Sequence, residues 1–160
     1  MMQIQSIPVD PRTPAPGPAH QPRNLAPPVA CEVASIYERL TRAVRSLRAE
    51  SAAALFATDA IVVMDDSEDL RGCDAIRGWF EGHFARAAAG GIDLGVSFHV
   101  RERGLQNGVV FDVGTFFLTA RNRGDVSRVP MKMSRFLAVF RRGVDGRHRI
   151  VRLSTVLPPG

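Results

Sequence analysis

From Glu32 onward the apolar positions recur with a period of about 3.6 residues. Val33, Ile36, Tyr37, Leu40, Val44 and Leu47 make one stripe, and Arg39, Arg42 and Arg45 leave it for the other side. The spacing predicts a long amphipathic helix with one buried face. Ser51 offers an N-cap to a second, short helix over 52–56, after a break near Glu50. Residues 60–64 (AIVVM) are β-branched and apolar and run into DDSED, which predicts a strand ending in an acidic turn. A second long helix is predicted from Cys73. Ile76, Trp79, Phe80, His83, Phe84 and Ala87 share one face of it, and Gly90-Gly91 stops it. The rest of the chain reads as strands over roughly 92–103, 108–120, 130–142 and 148–156. The Asn107-Gly108 and Val144-Asp145-Gly146 turns separate two pairs of them.

Helices first, a helix between strands, then an antiparallel meander define an α+β fold with helices packed on one face of a curved sheet. In residues 108–120 one strand face carries Phe111, Val113, Thr115 and Phe117, and the other Val110, Asp112, Gly114, Phe116 and Leu118. The following strand sets Met131, Met133, Leu137 and Val139 against Phe136, Ala138 and Phe140. Both faces are largely apolar, whereas a sheet with one wet face alternates. The helices can cover one face only, so the other is expected to meet a second copy of the chain, as a homodimer through sheet faces.

Residues 1–30 differ in composition from the rest of the chain. They hold most of the prolines and few large hydrophobes, and proline blocks both helix and sheet. They are expected to form a disordered, proline-rich leader to a single domain over 31–160. With 160 residues, 45% of them hydrophobic and 23% charged, the chain fits one globular domain and excludes collagen, coiled coil and wholesale disorder. No apolar run approaches membrane-spanning length, and the N-terminus lacks the layout of a signal peptide. A cytoplasmic protein is therefore expected, with Cys31 and Cys73 reduced. The net charge is +5, and every basic residue but Lys132 is arginine. The arginines are scattered, which makes nucleic acid an unlikely partner and leaves the Arg39–Arg48 helix face as the weak alternative. His20, His83, His99 and His148 show no ligand spacing, and there is no Cys-x-x-Cys pair or glycine-rich phosphate loop. No metal and no cofactor are expected.

Three short segments carry a resemblance. They are Ala54-Leu55-Phe56 with Asp59-Ala60, Leu70-Arg71-Gly72 with Asp74-Ala75-Ile76-Arg77, and Asp145-Gly146 with Arg149-Ile150-Val151. With the element order, they make the chain similar to the nuclear transport factor 2-like superfamily, which includes the SnoaL-like polyketide cyclases and ketosteroid isomerase. The likeness covers about residues 32–157. It implies a cone-shaped fold with an apolar cavity between helices and concave sheet, usually dimeric. It also implies positions for isomerase chemistry, which needs a carboxylate base and two acids. The tyrosine falls on Tyr37, about one turn from the expected place. The base falls on Met64, with Asp65 next to it, and the second acid falls near Phe136. Two of the three roles are missing or displaced, so steroid isomerisation is not the expected activity.

His83 interrupts an apolar helical stripe. It is either a general base near neutral pH or a core-edge histidine with one backbone partner. Asp65 is either half of a carboxylate pair with Asp66 or part of a solvated acidic turn. Tyr37 is either a proton donor or an ordinary core-edge tyrosine. These three are the candidate proton carriers, and Trp79, Phe80, Phe111, Thr115, Phe117, Lys132, Ser134 and Phe136 are the candidate substrate-binding residues. If Phe111 and Phe117 line the cavity, Asp112 belongs to the opposite face, where Arg135 and Arg152 could pair with it. The expected function is a cofactor-independent enzyme of cyclase, isomerase or dehydratase (lyase) type, acting by acid–base catalysis on an apolar or aromatic substrate. The alternative is a non-catalytic small-ligand-binding or dimerisation module of the same fold.

Overall fold

The computed structural model describes residues 25–65, 67–125 and 129–156. The leader expected over 1–30 falls mostly outside them. The first helix, α1, spans Pro27–Arg45 and so begins earlier than the periodicity suggested. Prolines at its first two positions explain the difference. The amides they lack have no intrahelical partner there in any case, and their fixed φ suits a helix start. Val33, Ile36, Tyr37, Leu40, Ala43 and Val44 are its buried face. Leu47 takes φ 52°, a left-handed turn that separates α1 from α2, Ala49–Ala53. The short helix is thus shifted three residues upstream of the predicted one, and Ser51 lies inside it rather than capping it. Phe56 belongs instead to the first strand, β1 (Phe56–Val63).

A two-residue strand, β2 (Leu70–Arg71), leads into α3 (Cys73–Ala89), whose buried face is Ile76, Phe80, Phe84 and Ala87. Four long strands come next: β3 (Ile92–Gln106), β4 (Val109–Asn122), β5 (Val129–Arg142) and β6 (His148–Val156). The sheet order is β2-β1-β6-β5-β4-β3, antiparallel throughout except for the parallel pairing of β1 with β6. This is the α+β architecture that the hydrophobic pattern predicts, with the helices against one face of the sheet. Glu32 ties the start of α1 to β6. Its carboxylate accepts the His148 backbone N–H and contacts His148 Nδ1, each at 2.8 Å.

Register decides which residues face the helices. Two residues turn the chain between β3 and β4, so Gln106 lies opposite Val109 and Arg103 opposite Asp112. A bulge between Val100 and Glu102 then shifts the alternation of β3 by one residue. Phe98 and Val100 on one side of it, and Arg103 and Leu105 on the other, consequently project to the same face. Gly114, opposite Val100, permits this close approach: a Cβ there would stand 2.2 Å from the His99 carbonyl oxygen.

The helix-covered face of β4 is therefore Val110, Asp112, Gly114, Phe116 and Leu118, paired with Phe140, Ala138, Phe136, Ser134 and Lys132 of β5. Phe111, Thr115 and Phe117 point the other way. Asp112 lies opposite to them, as the alternation predicts, but the inner and outer faces are exchanged relative to the expectation that Phe111 and Phe117 line the cavity. Both faces of β4 are apolar enough to be buried, so composition alone could not orient the strand. The outer face carries exposed Val113, Met133, Leu137 and Val156.

Candidate functional site

Helices and sheet line a cavity of about 520 Å³, partly open to solvent, within the usual range of small-molecule sites. Leu40 and Val44 of α1 form one wall, and Ile76, Trp79, Phe80 and His83 of α3 another. The sheet contributes Phe56, Val62, Val96, Phe98, Phe116, Leu118 and Leu153, and Met64 and Leu70 lie at the acidic-turn end. The polar lining consists of Ser67, His83, Lys132 and Thr155; no carboxylate lines it among the described residues.

His83 is held in a defined orientation. Its Nδ1 is 2.9 Å from the Trp79 carbonyl oxygen, one helical turn back. A carbonyl can only accept, so Nδ1 carries the hydrogen, and in the neutral ring Nε2 is left with its lone pair. The imidazole also stacks on the Trp79 indole, with ring centroids 3.9 Å apart. Indole and backbone carbonyl together restrict the ring's rotation. His83 thus has the one backbone partner of a core-edge histidine, and it lines the cavity.

The other candidate proton carriers do not join it. Asp65 is exposed and absent from the lining, as a solvated turn residue would be. Tyr37 is buried in a separate cluster, where its hydroxyl donates to Asp112 Oδ2 at 2.8 Å. Arg103 holds the same carboxylate from two directions, Nε to Oδ1 at 2.7 Å and Nη2 to Oδ2 at 2.8 Å. Its Nη1 donates to the Ala30 carbonyl at 2.9 Å, joining the sheet to the first turn of α1. Asp112 is fully buried. Arg103, and not the expected Arg135 or Arg152, neutralises it. Burial first, and then the Asp112 charge and hydrogen bond, push the Tyr37 hydroxyl well above the usual tyrosine range. A phenol so held stays protonated and spends its proton on Asp112.

Of the candidate substrate-binding residues, Trp79, Phe80 and Lys132 line the cavity. Ser134 and Phe136 lie on the same sheet face, and both are buried. Ser134 Oγ has no hydrogen-bond partner among the described residues. Phe111, Thr115 and Phe117 are on the outer face, where Phe117 meets His99 edge-on at 5.4 Å between ring centroids. Phe98, Phe116 and Thr155 also line the cavity, and no pattern in the sequence marks them for it. The Arg103–Asp112 pair was not expected either, although the sequence carries a signal for it. A two-residue Asn-Gly turn puts 106 opposite 109 and so 103 opposite 112. No group of three or more His, Cys, Asp or Glu side chains that could hold a metal ion occurs among the described residues, and no helix there is long and apolar enough to cross a membrane.

The same architecture recurs in solved structures. An NTF2-like protein with a cystatin-like fold from Novosphingobium aromaticivorans superposes with a TM-score of 0.70 at 17% identity, covering 82% of each chain. The fold is the NTF2-like one. A ketosteroid isomerase-like protein from Erwinia carotovora atroseptica shares it at 13% identity and a TM-score of 0.60, over 80% of this chain and 96% of that one. So does a protein from Catenulispora acidiphila in complex with S-DNPA, at 17% identity and a TM-score of 0.68, over 80% and 93%. No family model matches the sequence, and no curated protein is significantly similar to it. At these identities the NTF2-like likeness extends to the fold alone, and function has to come from the site.

Proposed function

We propose that this NTF2-like chain binds a small apolar or aromatic molecule in its cavity and that His83 is the base that acts on it. The observation that carries this reading is the fixed tautomer of His83 in an otherwise oily lining. The neutral ring presents a lone pair, so the ligand has to present a proton, either a hydroxyl or a C–H made acidic by a neighbouring carbonyl. In the second case Nε2 takes the proton, the C–H electron pair becomes an enolate, and the Lys132 ammonium and Thr155 hydroxyl are the donors that the lining offers the oxygen. Returning the proton to a different atom is an isomerisation; expelling a leaving group or closing a ring is lyase or cyclase chemistry. No step requires a cofactor. The complex of the Catenulispora acidiphila protein supports ligand binding by this fold.

The test uses 2-tetralone, an apolar bicyclic ketone with acidic C–H bonds, in heavy water. Trp79 is the sole tryptophan and lines the cavity, so its fluorescence reports occupancy. The wild type should exchange the ketone's α-hydrogens faster than buffer does, and His83→Phe, which keeps a stacked ring, should bind it without accelerating exchange. Exchange undiminished in His83→Phe removes the base assignment. Binding with no exchange even in the wild type favours the second reading, a non-catalytic binding module, for which the separation of Asp65 and Tyr37 from the cavity argues.

The outer sheet face is read as the seat of a second copy. Val113 pairs with Leu137, Phe117 with Met133, and Arg135 with Val156, so three adjacent rows place exposed apolar groups on one surface. Two such sheet faces pack well on each other. Light scattering of the wild type and of Met133→Asp/Leu137→Asp should show a dimer and a monomer; a monomeric wild type removes the reading.

A further inference from the structure

Phe98 stands between two spaces. One side of it faces the apolar cavity that His83 lines. The other faces a shallower groove of about 510 Å³ between α1 and β3, whose walls include Tyr37, Glu38, Arg101 and Arg103. Among the described residues, Phe98 alone borders both. Its ring is wedged by three others: Tyr37 at 4.8 Å, Phe136 at 5.7 Å and Phe116 at 6.0 Å between centroids. The position comes from the backbone. Phe98 pairs with Phe116 just before the β3 bulge, the point at which the strand turns from the cavity toward the Arg103–Asp112 cluster.

The chemistry of the two spaces differs. The cavity is oily apart from Ser67, His83, Lys132 and Thr155, whereas the groove carries two arginines and two glutamates, Glu38 and Glu102. A molecule too long for the cavity along this direction would have to displace the Phe98 ring from its three neighbours before reaching the groove. A close-packed aromatic ring gives way only with lost contacts and an off-rotamer side chain.

We propose that Phe98 is the specificity-determining partition of the cavity, and that it restricts the ligand to compact, one- or two-ring molecules. This rests on the cavity being a ligand site. Removing the ring would join cavity and groove into one channel, apolar at the His83 end and charged at the other.

Rigid rods test this, because they cannot fold to fit. The series is phenol, 4-phenylphenol and 4-hydroxy-p-terphenyl, each with one hydroxyl for His83 Nε2. Binding is followed by titration, with backbone amide shifts for location. In the wild type the one- and two-ring rods should bind, and the three-ring rod should bind roughly tenfold weaker than 4-phenylphenol or worse. The amides of Ala34, Glu38 and Arg101 should stay still. In Phe98→Ala the three-ring rod should gain roughly tenfold or more, with phenol changed by less than about threefold, and those groove amides should move. Phe116→Ala, which widens the cavity without bordering the groove, should leave them still.

A wild type that takes the three-ring rod as well as the two-ring one overturns the partition and leaves ligand binding standing. So does Phe98→Ala with an unchanged length limit, or Phe116→Ala with the same gain. A wild type that binds no rod overturns both readings. If Phe98→Ala does not fold, the wild-type length limit and Phe98→Leu, expected to fall between wild type and Phe98→Ala, decide the question.

Discussion

Replacing Arg103 with methionine keeps much of the side chain's apolar stem and removes its charge. In the folded chain this deletes two hydrogen bonds to Asp112, at 2.7 and 2.8 Å, and one to the Ala30 carbonyl, at 2.9 Å. Asp112 stays fully buried with the Tyr37 hydroxyl as its one remaining donor among the described residues. A buried charge stripped of its partner costs about 3–5 kcal/mol, about a fifth or more of the roughly 5–15 kcal/mol that holds a typical domain together. Removing both charges is a different perturbation. A buried pair gains little over apolar residues of similar volume, because desolvation offsets the attraction. Arg103→Met/Asp112→Leu should therefore recover most of the loss. The shortfall should be about 1–3 kcal/mol for the orphaned Tyr37 hydroxyl, which adding Tyr37→Phe should restore. Urea denaturation of the four proteins at neutral pH gives the comparison. An Arg103→Met protein within about 1 kcal/mol of the wild type, or a triple variant no more stable than the single one, would refute the dependence of this buried charge on its partner.

Other consequences arise from the same contacts. The Tyr37 hydroxyl titrates higher folded than unfolded because it is buried against Asp112, so its contribution is complete below the unfolded value, near pH 10, and is lost as pH rises above it. Tyr37→Phe should flatten that alkaline limb of a stability profile, and as Tyr37 is the only tyrosine, tyrosinate absorbance of the wild type should appear only with unfolding. Glu32 behaves in the opposite sense. The His148 backbone amide, and then the His148 ring, hold its carboxyl below the usual range, so its contribution is present above the unfolded carboxylate value and is lost on acidification. Glu32→Gln should therefore blunt the acid limb, checked by thermal melts between neutral and acidic pH. Gly114→Ala forces a methyl toward the His99 carbonyl oxygen, a backbone atom that cannot swing aside. It should destabilise by about 1–3 kcal/mol or more, measured by denaturation, with Phe98 displaced in the amide spectrum.

Much of the fold is a direct consequence of local pattern. The period of the apolar residues placed α1 and α3, and the Asn107-Gly108 turn placed the β3–β4 hairpin, because helix faces and tight turns are short-range properties of a few neighbouring side chains. The stripe through Trp79, Phe80 and His83 was legible for the same reason, and these residues line the cavity. Tertiary structure alone settled which face of β4 looks inward. Asp112 and Phe116 share one face and Phe111 and Phe117 the other, and both sets are apolar enough to be buried. What orients them is the register with β5 and the bulge in β3, neither of which leaves a mark in the composition of β4 itself. The same bulge turns Arg103 inward to meet Asp112, the carboxylate that also holds the Tyr37 hydroxyl. Alternation along a strand is set by its own residues, but the side on which it starts is set by the strands and helices it meets.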